Sequence, residues 1–285
     1  ALLTRALPSL AAALVVDGAP RRGVGAALAK LLRRLPAASA RRILPRALQS
    51  VAGLMRSRDG GRRAEARKTF VGTVAELGPA YLPFALSVLA SALPPKGVYG
   101  HVAAYTAHAC LEALARAGGG KFAPGALDAA ADRALALADG DLFGVAADER
   151  EAAGFGRGVK EARASTGVAV FELVAAGVTF RARSGALLAP LRARLPDASR
   201  PAVAATLRSL LAAVVRGAAA NASATPTERL TWAYGLVKEG VDADAGAKAA
   251  VRAGAGAAAM TEGHRDRVPA TTRPVDVAAV AADAG

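Results

Sequence analysis

Apolar positions along most of the chain recur at three- and four-residue intervals, the spacing of one buried face of an α-helix. Residues 43–55 keep this spacing over several turns, and a second apolar stripe includes Phe70. Glycine and proline mark the ends of these segments, as at 59–61 and at 78–79. No segment alternates apolar and polar residues over the length of a strand. The pattern therefore predicts an all-α protein.

The predicted helices come in pairs at a regular spacing. Pairs begin near Arg42, Ala80 and Pro124, about 38 to 44 residues apart, close to the period of about 40–47 residues in HEAT and armadillo repeats. A single helical hairpin cannot bury its apolar stripe alone, so consecutive hairpins stack and share a core. The sequence thus predicts an α-solenoid of HEAT/armadillo-like helical hairpins.

Three regions differ in the strength of this pattern. Residues 1–40 match it weakly and are predicted to hold two helices, at 2–16 and 24–35, whereas residues 41–241 carry the HEAT-like repeats. Residues 242–285 are rich in Ala and Gly without a sustained period, and we interpret them as a disordered tail. The chain lacks an initiator Met, which suggests a processed chain, a fragment or an incomplete gene model. No apolar run approaches the roughly 20 residues that span a bilayer.

Composition agrees with close helix packing. Apolar residues make up 53% of the chain but aromatic residues only 4%, and alanine is abundant. Alanine is the strongest helix former, so helices packed through small side chains are favoured. The single cysteine, Cys110, excludes an intrachain disulfide and a site with several cysteine ligands.

The net charge of +14 is concentrated in the first third of the chain. Residues 1–100 hold 16 Lys and Arg against 4 Asp and Glu, and residues 101–285 hold 21 against 19. Such asymmetry indicates a polyanionic partner for the first third, with nucleic acid the usual one. The alternative is a solvated, arginine-rich surface in a protein encoded by a GC-rich genome.

Nine basic residues form the candidate RNA-binding or polyanion-binding set. They lie on two successive predicted helices and the turn between them, and guanidinium groups bind phosphates in bidentate fashion. Aromatic residues are nearly absent from this segment, so contact through phosphates or duplex shape is favoured over base stacking. The set is Arg41, Arg42, Arg46, Arg56, Arg58, Arg62, Arg63, Arg67 and Lys68.

Patterns for catalysis or metal binding are weak. The segment 118–121 reads GGGK but follows a predicted helix and lacks the first glycine and the Ser/Thr of a phosphate loop. His101, His108 and Cys110 are too few for a metal site. We therefore expect no metal, no cofactor and no catalytic residues. An acid/base pair in an acidic loop is the enzymatic alternative; that loop contains Asp139, Asp141, Asp148, Glu149 and Glu151.

Several short segments, in fixed order over about 41–241, resemble one protein family. They are ARKT at 66–69, ELGPAYLPF at 76–84, GHV at 100–102, YTAH at 105–108, PGALD at 124–128, DLFG at 141–144, KEAR at 160–163 and YGL at 234–236. The family is that of U-three small nucleolar RNA-associated protein twenty, also called down-regulated in metastasis. The resemblance implies a fragment of a very long HEAT-repeat protein.

The same resemblance implies a cellular role. Members of the family are non-catalytic scaffolds of the small-subunit processome, the nucleolar particle that processes ribosomal RNA and builds the small ribosomal subunit. The expected partners are pre-ribosomal RNA, the small nucleolar ribonucleoprotein and other processome proteins, with no membrane and no small-molecule substrate. The expected location is the nucleus, in the nucleolus. The alternative is a HEAT-repeat adaptor of another pathway, such as nuclear transport, that binds acidic protein segments.

Overall fold

The computed structural model describes residues 5–94, 98–144, 147 and 163–265. Within these residues the chain forms eleven α-helices, joined by turns and by the short 3-10 helices Pro79–Tyr81 and Leu195–Ser199. The α-helices are α1 Leu7–Ala13, α2 Arg22–Arg33, α3 Ala37–Leu54, α4 Gly60–Leu77, α5 Leu82–Ala92, α6 Val98–Ala117, α7 Ala131–Phe143, α8 Ala164–Gly177, α9 Phe180–Arg194, α10 Pro201–Ala220 and α11 Pro226–Arg265.

The chain divides into two compact units, residues 1–229 and 230–285. In the first unit, the odd-numbered helices α1 to α9 pack side by side as one layer, and the even-numbered helices α2 to α10 pack as a second layer. Each odd-numbered helix also packs against the even-numbered helix that follows it, which makes five stacked pairs. The predicted all-α solenoid of helical hairpins is therefore confirmed. Of the second unit, the structure describes residues 230–265, which all belong to α11.

The repeat is longer than the sequence spacing predicted. Helices α3, α5, α7 and α9 begin 45 to 49 residues apart. Part of the difference lies between α6 and α7, where Gly119, Gly120 and Gly125 adopt φ angles of 73°, 87° and 74°. These left-handed conformations suit glycine and build an extended turn region, so α7 begins at Ala131 rather than near Pro124.

Buried side chains of the even-numbered helices form much of the core. On α4, Ala66, Phe70 and Val74 follow one another at four-residue intervals and are fully buried. Between α8 and α10 the helices approach so closely that a Cβ atom at Gly217 would collide with the carbonyl oxygen of Glu172. Glycine at this position therefore permits a close approach of the two helix backbones that any larger residue would disturb.

The N-terminal region differs from its prediction as one helix over 2–16. Helix α1 covers only Leu7–Ala13, and Val15–Val16 pairs in antiparallel fashion with Ala19–Pro20. The turn between these two short strands is Asp17-Gly18, whose φ angles are 52° and 72°. Positive φ at both central residues is the requirement of a type I′ hairpin turn, and Asp-Gly is one of its preferred sequences.

The interpretation of 242–285 as a disordered tail differs from the structure over residues 242–265. Helix α11 continues without a break to Arg265, in a segment where alanine is frequent and favours helix. Residues 266–285 lie outside the described residues.

Among the described residues, one unbroken helix, α10, has the length and the apolar composition that could cross a membrane. Its 18-residue window has a mean hydropathy of 1.4, so the expectation that no run approaches this length is wrong here. One side of α10, including Leu210 and Val214, is buried, and the helix packs against α8. Core helices commonly share this composition, so no membrane assignment follows.

Candidate nucleic-acid interface

Helix α3 carries three arginines of the predicted set on its solvent side. Arg41, Arg42 and Arg46 are all exposed. Because residues four apart on a helix are neighbours, Arg42 and Arg46 lie together, whereas Arg41 lies on an adjoining strip of the helix. Among the described residues, the guanidinium groups of these three arginines make no hydrogen bond and no ion pair. They are therefore available to an external anion.

A groove between α1 and α3 receives Arg42 and Arg46. Its volume is about 550 Å³, and Ser50 lines the same wall. The Ser50 hydroxyl donates to the carbonyl oxygen of Arg46 at 2.9 Å. The remaining lining residues are small or aliphatic: Pro8, Ala11, Ala12, Val15, Ile43 and Ala47. The groove thus combines an aliphatic floor with two positive charges.

A second groove lies on the other side of α3, toward α5. Its volume is about 470 Å³, and Arg41 supplies its positive charge. Tyr81 and Phe84 supply two aromatic side chains, and Leu44 and Ala80 complete the lining. The three arginines of α3 are thereby divided between two grooves.

The turn between α3 and α4 uses one of the predicted binding residues internally. Arg63 Nη1 donates to the carbonyl oxygens of Ser57 and Arg58, at 3.1 Å in each case. The Asp59 carboxylate accepts from the Gly61 amide at 2.8 Å and caps α4. Arg63 therefore stabilises the turn, while the Arg58 side chain makes no hydrogen bond or ion pair with another described residue.

Two further arginines stack on tyrosines of α6. The Arg67 guanidinium lies 4.6 Å from the ring centre of Tyr105, and that of Arg56 lies 5.7 Å from the ring centre of Tyr99. Aromatic residues are nearly absent from segment 41–68 itself, but the fold brings Tyr99 and Tyr105 of α6 against its arginines. These tyrosines come from the following hairpin, so no local spacing reveals them.

Acidic neighbours partly neutralise the last members of the set. Lys68 Nζ donates to Glu65 at 2.7 Å, and this hydrogen bond and charge lower the pKa of Glu65. Arg62 Nε lies 3.9 Å from Asp59. Within the described residues, the members whose side chains make no such contact are therefore Arg41, Arg42, Arg46 and Arg58.

Two arginines of the later hairpins, Arg194 and Arg216, are paired with acids one repeat earlier. Arg194 Nη2 lies 2.7 Å from Asp139, and that hydrogen bond raises the pKa of Arg194. Arg216 lies 2.8 Å from Glu172 on the neighbouring helix. The partners are about one repeat apart in sequence, 55 and 44 residues. In both pairs the acid lies in the middle of its helix, and the arginine lies nearer the C-terminal end of the corresponding helix of the next repeat. An acid and an arginine separated by slightly more than the spacing of their two helices are the signal that would have found these pairs.

The start of α9 is held by two acids, Asp128 just before α7 and Asp132 in its first turn. The Asp128 carboxylate accepts from the backbone amide of Thr179 at 2.7 Å and from its hydroxyl at 2.6 Å. Arg183 lies 3.3 Å from Asp132. These carboxylates therefore join neighbouring hairpins.

Candidate catalytic and metal-ligating residues are likewise used in packing. Asp141 lies on α7 and forms a buried pair with Nδ1 of His101 on α6. His108 lies 3.9 Å from Glu112, and burial lowers the pKa of His108. Cys110 is buried. Within residues 5–94, 98–144 and 163–250, no group of three or more metal-ligating side chains converges. Asp148, Glu149 and Glu151 lie outside the described residues.

The GGGK segment at 118–121 lies at the C-terminal end of α6. The Gly120 amide donates to the carbonyl oxygen of Ala115 at 2.8 Å, and Gly119 and Gly120 have positive φ. A helix C-terminus presents carbonyl oxygens and a partial negative charge. A phosphate loop requires the opposite polarity, so this segment is a helix-ending turn.

Comparison with protein-family models gives one match over most of the chain. The model described as the U3 small nucleolar RNA-associated protein 20 domain matches residues 16–237. This range contains the α3–α5 groove, the α3 wall of the α1–α3 groove and the paired arginines of the later hairpins. The α1 side of the α1–α3 groove, lined by Pro8, Ala11, Ala12 and Val15, precedes it.

Proposed function

Because the chain belongs to the U3 small nucleolar RNA-associated protein 20 family, we propose that it is a non-catalytic scaffold of the small-subunit processome. In this role it supports ribosomal RNA processing and biogenesis of the small ribosomal subunit. Its partners are pre-ribosomal RNA, the small nucleolar ribonucleoprotein and other processome proteins, and its location is the nucleolus.

The observation that carries the RNA-binding part of this proposal is the set of exposed, unpaired arginines on α3. Arg41, Arg42 and Arg46 keep their guanidinium groups free of hydrogen bonds and ion pairs with other described residues, whereas Arg194 and Arg216 are held by carboxylates. An arginine that is already solvated and unpaired gives up no internal contact when it binds a phosphate. Phosphate binding then releases counterions from the RNA, which favours association.

This mode of binding positions RNA without reading its sequence. Phosphate contacts fix the register of a nucleic acid and carry no direct base information. A solenoid also offers a long surface on which several partners assemble at once. The proposed mechanism is therefore retention of RNA on α3 while other surfaces of the repeats hold proteins.

The test of RNA binding compares two charge-matched double variants of the full chain. Arg42→Ala/Arg46→Ala removes the pair in the α1–α3 groove, and Arg181→Ala/Arg208→Ala removes two exposed arginines of the later hairpins. We expect the first variant to weaken binding to RNAs of unrelated sequence by about ten-fold each, and the second to change it less than two-fold. Equal loss in both variants would show that binding follows net charge and not this surface.

A second candidate function is an adaptor that binds acidic protein segments. It is favoured by the aliphatic floor of the α1–α3 groove, where Ala11, Val15 and Ile43 lie beside Arg42 and Arg46. An amphipathic acidic helix would suit such a floor. If the Arg42→Ala/Arg46→Ala variant loses an acidic peptide while RNA affinity is unchanged, the adaptor function replaces the RNA-binding proposal.

The cellular part of the proposal has its own test. The full-length native protein, tagged in its own cells, should concentrate in the nucleolus and co-sediment with large precursors of the small ribosomal subunit. Its depletion should make early ribosomal RNA precursors accumulate. A cytoplasmic protein that is absent from these particles and dispensable for RNA processing would contradict the scaffold role.

A further inference from the structure

We propose that the groove between α3 and α5 holds an unpaired nucleobase of single-stranded RNA, stacked against Tyr81 and Phe84 with its phosphate on Arg41. This inference rests on the RNA-binding function proposed for α3 and adds a ligand class, because stacking on an aromatic side chain requires a base that is not in a duplex.

The start of α5 explains why two aromatic side chains line this groove. Gly78, with φ of 90°, ends α4, and the Tyr81 amide then donates to the carbonyl oxygen of Gly78 at 3.2 Å. On α5, Leu82 and Leu86 are fully buried in the core. Tyr81 and Phe84, three positions apart, instead line the groove and remain half-buried.

The groove has the charge and composition of a site for single-stranded nucleic acid. Its five lining residues include one arginine, two aromatic side chains and no carboxylate. Arg41 is exposed and makes no ion pair with another described residue. A positive charge beside aromatic rings is the combination that binds single strands, since every base has a π-face and every linkage a phosphate. The volume of about 470 Å³ falls within the usual range of ligand sites.

Arg42 offers a second phosphate contact to the same RNA strand. Arg41 lines the α3–α5 groove, and its sequence neighbour Arg42 lines the α1–α3 groove. A strand that crosses α3 would therefore meet arginines in both grooves. Of these two grooves, the α3–α5 groove is the one that offers aromatic side chains for stacking, because the residues that line the α1–α3 groove are all non-aromatic.

The experiment uses the full chain and two RNA probes of equal length, a short oligouridine and a blunt duplex. In the Tyr81→Leu/Phe84→Leu variant, both side chains stay apolar but lose their π-faces. We expect oligouridine affinity to fall about ten-fold, since stacking contributes about 1–3 kcal/mol per base. Duplex affinity should change less than two-fold. Circular dichroism and the thermal midpoint establish that the variant is folded.

A second variant keeps the inference testable if the double leucine variant does not fold. Phe84→Trp preserves an aromatic face and adds an indole, whose fluorescence a stacked base should quench; the unaltered protein gives the background from Trp232. Oligouridine should quench the added emission and the duplex should not. Equal quenching by both RNAs, or by neither, would overturn the inference.

The outcomes separate this inference from the proposed function. If the folded leucine variant binds oligouridine as tightly as the unaltered protein, base stacking is wrong. Loss of affinity in Arg42→Ala/Arg46→Ala would then still support phosphate binding on α3. If the leucine variant loses an acidic peptide and keeps oligouridine, the groove is a peptide site and the inference also fails.

Discussion

Arginines on the third helix and arginines on the later hairpins have the same side chain in two different settings. On α3, Arg42 and Arg46 are exposed beside an open groove. In the later hairpins, Arg194 and Arg216 each meet a carboxylate of the preceding repeat, at 2.7 Å and 2.8 Å. The first group is exposed and makes no ion pair with another described residue, whereas the second joins one repeat to the next.

This difference also explains the uneven net charge. Residues 101–285 hold almost as many acids as bases, 19 against 21, and several of those acids pair with arginines of the neighbouring repeat. Residues 1–100 hold only four acids, and two of them, Asp59 and Glu65, are engaged near the α3–α4 turn. Charge composition thus separates the surface that we propose to bind RNA from the contacts that hold the solenoid together.

The largest expected effect is on stability, from the buried contact between α6 and α7. His101→Ala removes the ring that pairs with Asp141 and leaves the carboxylate in the core, where both side chains are nearly inaccessible at 3% and 1% exposure. We expect a loss of about 3 kcal/mol in the free energy of unfolding, measured by urea denaturation. A loss below 1 kcal/mol would show that the contact is not part of the stabilising core.

A smaller effect is expected from an ion pair between repeats. Arg194→Ala removes the pair with Asp139 and the contact with the Phe143 ring, whose centre lies 5.3 Å from the guanidinium. Because both partners are partly exposed, we expect a loss of about 1 kcal/mol in stability. RNA affinity should stay within two-fold of the unaltered protein. An RNA-binding defect in a fully folded Arg194→Ala protein would contradict the claim that paired arginines such as Arg194 do not bind RNA and those of α3 do.

The solenoid was predictable because helical periodicity and hairpin spacing are local properties of the sequence. Partners about one repeat away were not predictable from local spacing. Tyr105 lies over Arg67, and Asp139, assigned from sequence to an acidic loop, lies on α7 and pairs with Arg194. The Asp17-Gly18 turn was a readable hairpin signal that was missed, because the flanking strands have only two residues each.

The nine basic residues stay a prediction as a binding set, but the structure shows which of them are used internally. Charge concentration identified α3 and α4. The side chains of Arg41, Arg42, Arg46 and Arg58 make no hydrogen bond, ion pair or ring contact with another described residue. Arg63 instead donates to carbonyl oxygens of the α3–α4 turn. A sequence gives the number of charges on a helix, but the folded backbone decides which of them are used internally.

The smallest expected effect is a dependence of stability on pH. Burial lowers the pKa of His108 from its usual value of 6.5, so below pH 6.5 the unfolded chain binds a proton that the folded chain does not. Stability should therefore fall as the pH drops from 6.5 toward the lower folded-state value. Replacing the side chain in His108→Gln should flatten this part of the pH–stability curve, measured by thermal unfolding. An unchanged slope would assign the acid sensitivity to other groups.

The most direct test of the RNA-binding surface is the salt dependence of oligouridine affinity in the two charge-matched variants. The account predicts that Arg42→Ala/Arg46→Ala lowers the slope of log affinity against log salt concentration by about 1.4, or about 0.7 for each lost phosphate contact. The Arg181→Ala/Arg208→Ala control should keep the slope of the unaltered protein. Identical slopes in all three proteins would contradict the claim that the arginines of α3 bind RNA phosphates.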